Sequence, residues 1–144
     1  MRNLFGVMVM ILAVLPLAAQ KKVIAPPEFG AGSPNFSTAI LVDGTLYVSG
    51  QIGQDLKTKQ VPADFDAEVK TVLENIGVAL KAGGMTFKDV VSVQVYLTDM
   101  ELFAKMNAVY ITYFPEPRPT RTTVGVTKLA APTARIEVTV TAKK

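Results

Sequence analysis

The 144-residue chain has no cysteine and no histidine. Without cysteine there is no disulfide, no thiol nucleophile and no lipoprotein anchor. Without histidine the commonest general base and the commonest transition-metal ligand are missing. Chemistry therefore falls to Arg, Glu, Asp, Lys, Tyr, Ser, backbone groups and water. A strong charge of one sign is lacking too: 15 Lys and Arg face 12 Asp and Glu, a net of +3. That balance argues against a broad electrostatic surface for nucleic acid, and with the absent histidine it counts against ribonuclease chemistry. Internal repeats and low-complexity segments are also absent.

Long hydrophobic runs are scarce. The one present, in "MRNLFGVMVMILAVLPLAAQ", has a basic start at Arg2, an apolar stretch from Leu4 to Leu17, and then the small residues Ala18 and Ala19. This is the layout of a secretory signal peptide. The stretch is short for a membrane span and lacks a basic stop-transfer cluster. Residues 1–20 are thus expected to be a signal peptide and the protein to be secreted or periplasmic, with no stable membrane span after cleavage. The rest is the length of one domain. Residues 21–34, with "KKVIAPPEFGAGSPN", read as an extended N-terminal segment, and 35–144 as the domain.

Asp43-Gly44 between apolar runs predicts a hairpin of strands at about Thr38–Val42 and Thr45–Ser49. Val69, Val72, Leu73, Ile76 and Leu80 fall on one helical face, predicting a helix from about Asp64, its cap, to Ala82 before Gly83-Gly84. Val91, Val93, Val95 and Leu97 alternate as in a strand. Thr98 to Glu101 has the form of a capping box, opening a second helix with Leu102, Met106, Val109 and Tyr113 as its stripe. Two Thr/Val strands, about 120–128 and 134–142, read as a closing hairpin. The fold class is α+β, in the order ββαβαββ: one mixed sheet with both helices on one face. The other face, carrying Glu137, Thr139 and Thr141, is semi-polar and suited to burial against further copies.

In "RPTRTTVGVTKLAAPTARIEVTVT", Arg121 and Glu137 stand on strands that otherwise need only Thr and Val. A guanidinium is a rigid fork for a carboxylate, and a carboxylate can orient water or move a proton. The alternative is that the two pair with each other or with a neighbouring subunit. Ser49 in "SGQ" and Asn107 inside the second helix are candidate ligand contacts, whereas Tyr110 and Tyr113 read as packing residues.

With "LYVSGQI", "VPADFDAEVKTVLENIGVALKAGG", "FKDVVSVQVYLTDMELFAKMNAVYITYF" and "RPTRTTVGVTKLAAPTARIEV" in order, residues 35–142 resemble the RidA (YjgF) family of reactive intermediate deaminases, formerly labelled L-PSP endoribonucleases. The resemblance implies a chorismate-mutase-like homotrimer with clefts between subunits. It implies hydrolysis of enamines and imines of 2-amino acids to 2-keto acids and ammonia, with a small imino-acid substrate, no cofactor, no metal and no nucleic acid. By position it assigns Arg121 to the substrate carboxylate and Glu137 to the attacking water. It also puts Ser49, Asn107 and the backbone at Thr123 in the cleft. Phe36 stands where the family often has tyrosine, keeping the ring without the hydroxyl. A trimer that binds small carboxylates without turnover is the alternative function.

Overall fold

In the computed structural model, which describes residues 20–144, Asp43 and Gly44 both take positive φ, 48° and 68°, as a two-residue hairpin turn requires. They join strand β2 (Ala39–Val42) to strand β3 (Thr45–Ile52). The segment read as extended contributes a short edge strand β1 (Lys22–Ile24), antiparallel to β2, and a 3-10 turn at Pro27–Phe29. The expected signal peptide, residues 1–20, lies outside the described residues except for Gln20.

Helix α1 (Phe65–Ala82) starts as predicted. The Asp64 carboxylate accepts from Ala67 N at 2.9 Å, satisfying an amide that the first turn leaves unpaired. Its expected stripe is buried. Strand β4 (Val90–Leu97) buries Val93, Val95 and Leu97, but Val91 is half exposed. A bulge between Val90 and Ser92 gives Val90 the inward place instead. The Thr98 capping box does not form, because Thr98 N–H donates to Arg135 O. Asp99 caps a 3-10 turn (Met100–Leu102) in its place. Helix α2 (Phe103–Tyr113) follows, burying Met106, Val109 and Tyr110 rather than Tyr113.

The last two strands are not a hairpin. Strand β5 (Thr120–Gly125) lies parallel to β4, and β6 (Ile136–Lys143) inserts between β3 and β4, giving the order β1-β2-β3-β6-β4-β5. Burial explains the exchange. Ile136, Val138, Val140 and Ala142 are all shielded from solvent, which only a central strand allows, while the threonine-rich β5 leaves Thr120, Thr122 and Val124 exposed at an edge. Both helices cover one face of the mixed sheet and pack on each other. The other face, with Tyr47, Tyr96, Val124, Thr139 and Thr141, has no cover from the described residues. Among those residues no helix is long and apolar enough to cross a membrane.

One charge lies inside the described core. Glu68 on α1 is fully buried, and its Oε1 accepts from Arg135 N (2.6 Å) and its Oε2 from Arg135 Nε (2.7 Å). Arg135 Nη2 also donates to Pro62 O and Ala63 O, so one guanidinium ties the loop before α1 to the start of β6. Gly53 makes room: a Cβ there would overlap Glu68. Glu68→Ala leaves Arg135 N and Nε without their acceptor, and denaturant titration is expected to show a loss of about 3 kcal/mol; a loss below about 1 kcal/mol would remove this pair as the anchor.

Candidate active site

Strand β3 breaks its register with β6 between Val48 and Gln51. A bulge re-aims side chains and bends its strand, and here the surrounding hydrogen bonds fix it. Ser49 N donates to Thr38 O (3.0 Å) and Ser49 Oγ to Ser37 O (2.6 Å). Gln51, itself buried, turns its Nε2 back to Ser49 O (3.0 Å). Gly50 then faces Glu137 so closely that any Cβ would overlap the carboxylate. Phe36, Ser49, Gly50, Ile52 and Glu137, with two alanines of the β5–β6 loop, line a cavity of about 400 Å³, the size of a small-metabolite site. Burial pushes the Glu137 carboxyl above its ordinary value of 4.5, because desolvation disfavours the charged form.

Arg121 points the other way. Its guanidinium carbon lies 4.6 Å from the centre of the Tyr110 ring and 5.7 Å from that of Phe103, within cation–π range of both. Tyr110 stacks in turn on Phe114, at 4.2 Å and 24°, so the guanidinium rests on a packed aromatic platform. Asn107, Tyr110, Arg118, Pro119 and Arg121 line a second cavity, of about 310 Å³. Thr123, two residues along on the same face, has its Oγ1 buried without a partner, as does the Tyr110 hydroxyl. Burial raises the Tyr110 pKa against the pull of Arg121 and Arg118, so the hydroxyl keeps its proton.

The expectation that Arg121 and Glu137 occupy adjacent strands is corrected: β4 lies between them. Arg121 is in register with Val93 and Glu137 with Tyr96. An odd separation on β4 places the two on opposite faces of the sheet. They do not pair with each other either, since among the described residues the ion pairs are Arg118–Glu116 and Arg135–Glu68. The six expected site residues thus fall into two groups: Phe36, Ser49 and Glu137, and Asn107, Arg121 and Thr123. Sequence reading missed Gly50, although a lone glycine in a strand pattern is a bulge signal. It also missed Tyr110 as the support of Arg121, for which no local signal exists, because the contact depends on β5 pairing with β4.

Residues 30–144 match the family model described as Endoribonuclease L-PSP. A rat protein named 2-iminobutanoate/2-iminopropanoate deaminase is 41% identical over 119 residues, which cover 82% of this chain and 86% of that protein. The solved structure of RidA from the Antarctic bacterium Psychrobacter sp. PAMC 21119 matches with a TM-score of 0.80 at 32% identity, over 85% of this chain and 99% of that one. A Rid-family protein of Yersinia pestis, YyfA, matches at 0.82 and 31% identity, over 87% and 100%.

The desolvated Glu137 sets a pH dependence. Its folded-state pKa is raised, so its contribution to stability is complete below the ordinary value of 4.5 and is lost as pH rises through the raised value. Glu137→Gln removes that loss. Melting curves from acidic to neutral pH should show the variant gaining on the wild type as pH rises; a constant difference would mean that the carboxyl is not desolvated.

Proposed function

The chain belongs to the Endoribonuclease L-PSP family, which includes the RidA proteins, and from that premise we propose that it hydrolyses enamine and imine forms of 2-amino acids to 2-keto acids and ammonia. The observation that carries this reading is Arg121: a half-buried guanidinium on an aromatic platform, with no carboxylate partner among the described residues. Such a fork suits the carboxylate of a small acid. The rat relative's name, a deaminase of 2-iminobutanoate and 2-iminopropanoate, supports the same substrate class.

The chemistry asks little of the protein. An enamine tautomerises to the imine, whose C2 is already electrophilic. Arg121 holds the carboxylate, and Glu137 takes a proton from water as its oxygen bonds to C2. Glu137 passes that proton to the nitrogen, giving a carbinolamine. The hydroxyl proton then moves to the nitrogen through Glu137, the C–N bond breaks as the C=O bond forms, ammonia leaves, and the keto acid remains. Only water is consumed. Orientation and a preorganised charge supply the acceleration.

A single chain holds these groups on opposite faces, so the proposed site closes only between copies. In a homotrimer, Arg121, Asn107 and Thr123 of one copy would face Phe36, Ser49 and Glu137 of the next. The exposed Tyr47 and Val124 on the uncovered sheet face support such an assembly. Export to a secreted or periplasmic location is part of the proposal and rests on the N-terminal sequence.

Keto-acid release from enzymatically generated 2-aminoacrylate tests the reading. Arg121→Ala should weaken acid binding by roughly 2–5 kcal/mol, and Arg121→Lys, which keeps charge but not the fork, should recover only part. Binding of 2-keto acids without turnover would instead favour the carboxylate binder. Unchanged affinity in Arg121→Ala would remove the assignment.

A further inference from the structure

The cavity around Arg121 is lined by a second arginine, Arg118, that the proposed reaction does not use. Arg118 lies three residues before Arg121, and on a continuous strand that spacing would send the two side chains to opposite faces. β5 begins only at Thr120, however. Pro119 has no N–H for the ladder and a fixed φ, so Arg118 is free of the strand's alternation, and both arginines line the same cavity. Burial raises the pKa of the Tyr110 hydroxyl, and the charges of Arg121 and Arg118 both act against that rise. The other lining residues, Asn107, Ile111 and Pro119, are uncharged. The cavity therefore presents two cations and no anion of its own.

Arg118 does have a partner, outside. Its Nη1 meets Glu116 Oε1 at 2.5 Å, with the two side chains 43% and 75% exposed. Ion pairs this exposed are weak and screened by salt. A carboxylate on a ligand already held by Arg121 would meet Arg118 without a separate loss of freedom. A monocarboxylic acid held by Arg121 leaves Arg118 on Glu116. A dianion answers both. Three residues of extended chain span at most about 11 Å, a separation that two long, flexible side chains can close onto a four- or five-carbon diacid.

On the deaminase reading of this site, we propose that Arg118 is a specificity residue and that the preferred substrates are 2-imino dicarboxylic acids, the second carboxylate displacing Glu116 from Arg118. The competing account makes Arg118 no more than the staple of the Glu116 loop.

Calorimetric titration of the full chain with 2-oxoglutarate and with 2-oxobutanoate, for wild type, Arg118→Gln and Glu116→Gln, separates the two. Turnover of imino acids generated in place from glutamate and from alanine runs in parallel. We expect wild type to favour the dicarboxylate about tenfold or more. Arg118→Gln should abolish that preference, and Glu116→Gln should increase it. Equal affinity for the two acids in wild type would overturn the inference. So would a preference that survives in Arg118→Gln while its melting point falls. An Arg118-dependent preference in binding with no turnover of any imino acid would support the second anion contact and count against the deaminase reading. Turnover of the alanine-derived imine with no Arg118-dependent preference would sink this inference alone.

Discussion

The pair formed by buried Glu68 and half-buried Arg135 is the contact on which the placement of the candidate site depends. It joins α1, the loop before α1 and the first residue ahead of β6. Burying a carboxylate is costly unless its lone pairs are satisfied, and here a backbone amide and a guanidinium satisfy them. The geometry leaves little freedom in how β6 enters the sheet. Ile136 must turn toward the helices, where it is 1% exposed, and Glu137 must then turn away. Gly53 and Gly50 are small for related reasons. The first lets α1 bring Glu68 to the sheet, and the second leaves space for the Glu137 carboxylate. A structural ion pair and a candidate catalytic group are thus two residues apart and held by one set of constraints.

Strand alternation then divides the candidate site. A residue on β5 in register with Val93 and a residue on β6 in register with Tyr96 cannot share a face. On the proposed reading, each face keeps one half of what hydrolysis of an imino acid needs: Arg121 as a grip for the acid on the helix side, and Glu137 as a partner for water on the open side. With the proposed acid grip against α2 and the proposed water partner on an uncovered sheet face, the proposed site is complete only between copies of the chain. On this account assembly and activity are one requirement, and residues that hold the sheet in register are also residues that hold the site.

Much of the fold was legible because it is written locally. Asp43-Gly44 has the backbone freedom that its turn requires, Asp64 caps as its side chain permits, and the stripe from Val69 to Leu80 has the helical period. The errors came where distant segments compete. Thr98 lost its capping role because its amide completes the sheet at Arg135. Val91 lost its inward place to a bulge. The closing strands were read as a hairpin because they are consecutive, yet the fully apolar face of β6 drew it to the centre of the sheet. That exchange also set the geometry of the site, since it separated Arg121 from Glu137 by a strand and a face. The resemblance to RidA proteins named positions, but it did not say which side of the sheet each would occupy, or that Tyr110 carries Arg121.

Subunit complementation tests the central claim most directly. Arg121→Ala and Glu137→Gln, each expected to be nearly inactive alone, are co-expressed and the mixed assemblies purified. If Arg121 of one copy works with Glu137 of the next, random equal mixing leaves about a quarter of the interfaces with both residues intact. About a quarter of wild-type turnover on small imino acids should then return. Mixed assemblies of verified composition that recover no activity would contradict the account, because the two residues would then have to serve from the same copy.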